Sequence, residues 1–130
     1  MEQKLKELLN NAYAPYSKYR VAAILKTEDD KLFTGVNVEN ASFGATICAE
    51  RVAITKAVSE GYRNFKELYI MVDSEKIGTC CFLCRQVISE FFNKDANIYC
   101  YNNNNKVEVF KVKDLCPYPF DKENLWKVDL

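Results

Sequence analysis

"CAERVAITKAVSEG", residues 48–61, is the stretch on which the reading of this chain turns. It contains no proline, and its only glycine is the last residue. That pattern predicts a helix stopped at Gly61. Its apolar residues spread around much of the helical circumference, as in a helix buried at the centre of a domain. A central helix needs a sheet to lie on. Immediately upstream, "YRVAAILKT" (19–27) and "KLFTGVNVE" (31–39) are strand-like runs separated by Glu28, Asp29 and Asp30, which predicts a hairpin. Downstream, "LYIMV" (68–72) is a continuous apolar run, the mark of a strand covered on both faces.

The outer parts of the chain follow the same logic. Leu5, Leu8, Leu9 and Ala12 recur at helical spacing and predict an opening amphipathic helix that ends at Pro15. Cys84, Val87, Ile88 and Phe91 predict another helix. "NIYCY" (97–101) and "KVEVFKV" (106–112) flank four asparagines and predict a second hairpin, followed by an extended tail, "CPYPF" (116–120). Strands alternating with helices predict an α/β fold, a three-layer α/β/α sandwich, over one domain of residues 1–130.

Composition narrows the function. Lys+Arg and Asp+Glu both total 18, so the formal net charge is zero. A polynucleotide or an anionic membrane is held chiefly by excess positive charge, so neither is the expected partner. No window reaches the apolar length of a membrane span. The N-terminus, "MEQKLKELLNNAYAPYS", is charged and amphipathic rather than a signal peptide, and the expected compartment is the cytoplasm. There the six cysteines read as reduced thiols or metal ligands before disulfides.

Three of those cysteines crowd into "TCCFLCRQV" (79–87), in a chain without histidine. Two predicted helices begin at cysteines, Cys48 and Cys81. A helix N-terminus offers free N–H groups and a partial positive charge, which favour the metal-binding thiolate. Cys81 and Cys84 form a C-x-x-C, and Cys48 from the neighbouring helix makes a third soft ligand suited to zinc. Three protein ligands leave the fourth tetrahedral position for water, the catalytic pattern. Glu50 shares a helix side with Ile54 and Ala57, where a desolvated carboxyl has a raised pKa and can shuttle protons. Arg51 follows and would offset the negative charge of three thiolates around zinc. In the run at 36–39 a period of two puts Asn37 and Glu39 on one face. Taken singly, each feature has a plainer reading. C-x-x-C also suits a redox pair or two buried cysteines, Cys48 a small core residue, and Glu50 a contact with the helix dipole.

Together the blocks "AYAPYSKYRV", "TGVNVENASFG", "CAERVAITKAVSEG" and "CRQVISEF" resemble the small, homotetrameric, zinc-dependent cytidine deaminases, from about Ala12 to Phe120. The resemblance implies a five-stranded mixed sheet and one Zn²⁺ per chain on Cys48, Cys81 and Cys84. It implies that Glu50 is the proton shuttle and that Arg51 hydrogen-bonds the thiolates. It also implies that Asn37 and Glu39 hold a ribose hydroxyl, that the Ala49 N–H and the Cys81 carbonyl hold the base, and that Tyr19 lines the base pocket. Phe43 and Phe120 would close the pocket from neighbouring subunits. The family usually reads Pro-Cys-Gly-x-Cys where this chain has Cys80-Cys81-Phe82-Leu83-Cys84, and usually has Phe at Tyr19 and Tyr at Phe43. The implied reaction is hydrolytic deamination of cytidine and 2′-deoxycytidine. The alternatives are a sister deaminase for another cytosine nucleoside, such as an aminoacyl-nucleoside antibiotic, and an inert zinc-stabilised binding module in which Cys80 is a fourth ligand.

Overall fold

Helix α1 (Glu2–Leu9) opens a chain whose remaining elements build one sheet and cover it. The structure is a computed structural model that describes residues 1–125. Residues 126–130, the end of the expected domain, lie outside the described residues. Strands β1 (Val21–Thr27) and β2 (Leu32–Val36) form the first hairpin, turning through Asp30 at φ 66°. Helix α2 (Ala49–Ser59) is followed by strand β3 (Phe65–Val72). Helix α3 (Phe82–Phe91) runs directly into strand β4 (Phe92–Tyr101). The asparagine turn then leads to β5 (Val107–Lys111) and a short helix α4 (Val112–Leu115).

The five strands lie in the order β2-β1-β3-β4-β5. β3 and β4 are parallel and every other neighbouring pair is antiparallel, so the sheet is mixed. Strand alternation sorts the core into two layers. Ala23, Leu25, Leu68, Ile70, Ile98 and Cys100 face α2 and α3. Ala22, Ile24, Tyr69, Met71 and Tyr101 face α1, where Leu5 and Leu9 cover them. Both faces of β3 are therefore covered, as its unbroken apolar run requires. Full burial of a side chain such as Leu5 or Ile70 is worth about 1.5–3 kcal/mol.

Several boundaries differ from expectation: β3 starts at Phe65 and β4 at Phe92, ahead of the runs read as strands, Val112 begins α4 instead of closing the second hairpin, and the ends of α1 and β2 also move. α1 ends at Leu9, with Asn10 as its C-cap, well before Pro15. Asn10 and Asn11 are poor helix formers, and Tyr13 leaves to pair with Val38. β2 ends at Val36, yet residues 37–39 stay extended. Val38 exchanges both backbone hydrogen bonds with Ile47, at 2.9 and 3.0 Å, while Tyr13 bonds Asn37 and Glu39 on the other edge.

α2 packs against β2 through Gly35. A Cβ there would lie 2.4 Å from the Ala49 carbonyl oxygen and 2.6 Å from the Ala53 nitrogen. Only glycine admits that approach, and the approach sets the height at which α2 begins.

Candidate metal and nucleoside site

Cys48 is the N-cap of α2 and Cys81 the N-cap of α3, both in extended backbone conformation. Cys84 follows one turn into α3 and is fully buried. The two helix starts meet, so that the Cys48 and Cys81 sulfurs lie 3.7 Å apart. All three sulfurs fall within 4.8 Å of one another. Ligands about 2.3 Å from a tetrahedral zinc ion sit ~3.8 Å apart, so the cluster has the dimensions of a zinc site.

The surroundings fit a cation held by thiolates. Arg51 Nη2 donates to Cys48 Sγ at 3.6 Å. Its Nε is buried with no hydrogen-bond partner among the described residues. The Cys48 thiol is held down to about 5, first by a hydrogen bond from Cys84 and then by Arg51. Cys84 is pushed up because it donates that bond and is buried. The lowered Cys48 thiol favours the thiolate, the form that binds a metal.

Cys80 is not part of it. Its side chain is 2% exposed and packs in the core beside Cys84 and Cys100. Burial pushes its thiol far up, and the negative charge of Glu50 adds to the effect. An extended backbone sends adjacent side chains to opposite sides, which is why Cys81 reaches the cluster and Cys80 the core.

Glu50 lies in the first turn of α2 and is 4% exposed. Burial raises its carboxyl above the ordinary value, and the Cys48 charge pushes the same way. Hydrogen bonds from its own backbone N–H and from Cys80 and Cys84 oppose that shift. Ala49, fully buried, is the first residue of α2, so its N–H belongs to the turn without intrahelical acceptors. The Cys81 carbonyl accepts from Arg85 N at 2.9 Å and keeps its second lone pair.

Asn37 and Glu39 share a face and both grip the loop that precedes β1. Asn37 Nδ2 donates to the Tyr19 carbonyl at 2.8 Å and Oδ1 accepts from Val21 N at 2.9 Å. Glu39 Oε1 accepts from the Tyr16 and Ser17 amides at 2.9 and 3.1 Å, and Oε2 accepts from the Ser17 hydroxyl. The Ser17 hydroxyl, foremost, keeps the Glu39 carboxyl below its ordinary value. Each side chain retains capacity for a further partner: the second Nδ2 hydrogen of Asn37, and one lone pair of Glu39.

Tyr19, held in that loop, turns its hydroxyl over Gly78, where a Cβ would lie 2.6 Å away. The Tyr19 phenol is pushed up by burial and by the Glu50 charge. An open cavity of about 410 Å³ is lined by Tyr16, Ser17, Glu39, Phe43 and Thr46. Phe43 packs edge-on against Tyr16 and is 75% exposed. Phe120 lies further along the chain, 58% exposed.

Gly35, which seats α2, and Ser17, which fixes Glu39, have roles that the sequence alone does not show. Arg85 and Gln86 stand in the sequence only as part of a motif. The one legible signal was a lone glycine inside a strand run.

The family model described as the cytidine and deoxycytidylate deaminase zinc-binding region matches residues 1–101. The chain belongs to the zinc-binding cytidine deaminase family. Among the relatives of this family member is the cytidine deaminase of Sporosarcina psychrophila, 43% identical over 120 residues, which cover 92% of this chain and 88% of that protein. The probable cytidine deaminase of Dictyostelium discoideum is 44% identical over 115 residues, 88% of this chain and 77% of that protein. The crystal structure of cytidine deaminase from Burkholderia pseudomallei superposes with a TM-score of 0.86 at 38% identity, covering 91% of this chain and 94% of that one. The cofactor of the family is zinc, and the three-cysteine cluster of this chain is able to hold it.

Proposed function

We propose that this chain catalyses the hydrolytic deamination of cytidine and 2′-deoxycytidine to uridine and 2′-deoxyuridine, releasing ammonia. The observation that carries the reading is the buried Glu50 carboxyl, two residues from Cys48, beside three converging sulfurs at the starts of two helices. Relatives named cytidine deaminase along most of the chain support the same substrate.

Cys48, Cys81 and Cys84 are the residues that would hold the ion. Zinc bound there supplies a water acidified toward ~7, a nucleophile available at neutral pH. The protein's own groups do the rest. Glu50, buried and with a raised pKa, accepts a proton from the attacking water and passes it to ring N3, then takes the remaining proton of the hydroxyl added at C4 and delivers it to the amine as the C4–N bond breaks. The Ala49 N–H donates to the pyrimidine O2 and the Cys81 carbonyl accepts from the 4-amino group. These two contacts turn C4 toward the cluster. Tyr19 lines the base pocket, while Asn37 and Glu39 take the ribose 3′-hydroxyl with their spare donor and acceptor. Arg51 balances the thiolate charge, which would otherwise weaken the acidifying effect on water.

The working form in this reading is a homotetramer in which Phe43 and Phe120 close the sites of neighbouring subunits. Large aromatic side chains left outside the core of one chain, Phe43, Tyr118 and Phe120 among them, support it. Among the described residues no helix is long and apolar enough to cross a membrane. A cytoplasmic nucleoside-salvage role fits that feature and the reduced thiols.

The test is product analysis. Purified chain incubated with cytidine, 2′-deoxycytidine and cytidine monophosphate should yield uridine, 2′-deoxyuridine and ammonia from the two nucleosides. Turnover of the nucleotide alone would reassign the substrate. Light scattering on the same sample tests the assembly, and a monomer with full turnover would overturn the closing of one subunit's site by Phe43 and Phe120 of another.

A further inference from the structure

Arg85 and Gln86 are consecutive residues in the turn of α3 that carries Cys84. Neither touches the sulfur cluster, yet each reaches across to the C-terminal segment. Arg85 Nη1 donates to the Leu115 carbonyl at 3.1 Å. The same guanidinium holds the loop ahead of Cys81, through Nε to the Cys80 carbonyl at 2.7 Å and Nη2 to the Thr79 hydroxyl at 3.0 Å. Its planar face lies over the Phe82 ring, 4.4 Å from the centroid. Gln86 clamps the backbone of Phe120 on both sides. Nε2 donates to the Phe120 carbonyl at 2.7 Å, and Oε1 accepts from the Phe120 N–H at 3.2 Å.

Between those two anchors runs Cys116-Pro117-Tyr118-Pro119. Two of the four residues lack an N–H and have a fixed φ, so the stretch is stiff and poor in backbone donors. Leu115 is buried at one end, while the Phe120 ring is more than half exposed at the other. The position of Phe120 is therefore set by the amide of Gln86 rather than by burial of its own ring.

We propose that Arg85 and Gln86 form a latch that registers the strap 115–120 to the metal-bearing helix, with Gln86 as a positioning residue for Phe120. The inference rests on the deaminase reading above, in which Phe120 closes a pocket. It adds that the closing ring is placed by the helix that carries Cys84. A subunit's latch thereby serves the site that its own Phe120 covers.

The test uses Gln86→Leu, which keeps the side chain's size and removes both bonds, with Gln86→Glu, Phe120→Ala and the double variant Gln86→Leu/Phe120→Ala. Amide hydrogen exchange at Phe120, followed by NMR, should be at least tenfold faster in Gln86→Leu than in wild type. Zinc content and melting temperature should stay near wild type. KM for cytidine should rise about tenfold, with kcat changing less than threefold. Gln86→Glu, which keeps the acceptor for the Phe120 N–H, should recover part of both effects. The double variant should be no worse than Phe120→Ala alone, because the two residues act through one ring. Unchanged exchange at Phe120, an unchanged KM, or effects that multiply in the double variant would each overturn the latch. So would a Gln86→Leu protein that loses zinc, with kcat falling in step. A wild type inert toward cytidine contradicts the deaminase reading instead, and the exchange measurement then decides the latch by itself.

Discussion

The Arg51 guanidinium and the Cys48 sulfur face each other across one turn of the same helix, 3.6 Å apart, while Arg51 Nε is buried without a partner among the described residues. A cation placed against the thiols stabilises their ionised form before any metal arrives. Arg51→Gln should therefore keep the fold but weaken zinc binding about 10–100-fold, the usual effect of removing a group that supports metal ligands. Competition with a chelator measures it. Unaltered affinity would show that the guanidinium has no part in holding the site's charge.

Glu50→Gln should retain zinc and fold and lose turnover by roughly 10²–10⁴-fold. The amide fills the same buried space and still forms hydrogen bonds, but it cannot carry a proton. Steady-state kinetics on zinc-quantified protein checks this. A variant within a few-fold of wild type would assign the proton transfers to another group.

Gly35→Ala should damage the site from a distance. The new methyl meets the Ala49 carbonyl and the Ala53 amide, both backbone atoms of α2. Overpacking of this kind costs about 1–3 kcal/mol. A clear fall in melting temperature should accompany a fall in kcat, since Ala49 and Glu50 sit at the displaced end. A melting curve identical to wild type would mean that α2 does not bear on β2 as described.

Glu39 gives a pH signature. Its folded-state carboxyl lies below the ordinary 4.5, chiefly through the Ser17 hydroxyl. A depressed carboxylate contributes stability that is present above the ordinary value and lost as pH falls through the folded value. The loop at 16–19 should therefore stay ordered at pH 5 and loosen only below about 4.5. Ser17→Ala should move the Glu39 midpoint upward in an NMR titration, and an unmoved midpoint would refute the assignment.

Much of this architecture is legible in the sequence because it follows from periodicity. The unbroken apolar run of β3, the glycine stop of α2 and the alternation through 36–39 each express one local rule. The misplaced end of α1 shows the limit. Ala12 continues the helical spacing, but Asn10 and Asn11 break the helix and Tyr13 finds a strand partner far along the chain. Cysteines at helix starts could be read as ligands since capping is local. The bonds from Gln86 to Phe120 and from Glu39 to Ser17 could not, because they join residues that only the tertiary fold brings together.

Cys80 separates a catalytic site from a closed four-thiolate one. Its side chain is buried in the core, outside the group of three converging sulfurs that Cys48, Cys81 and Cys84 form. Cys80→Ser should keep one zinc per chain and the full deaminase rate, and Cys80→Pro should do the same where the backbone angle permits. A rate that appears only after Cys80 is replaced would identify the wild-type site as closed.

The most direct measurement of the central claim is the fall in cytidine absorbance in the presence of reduced protein whose zinc content has been determined on the same sample. About one zinc per chain and steady conversion to uridine are expected, with the rate proportional to zinc loading. Both should be abolished together in Cys48→Ala, Cys81→Ala and Cys84→Ala. Fully zinc-loaded wild-type protein that leaves cytidine unchanged would contradict it.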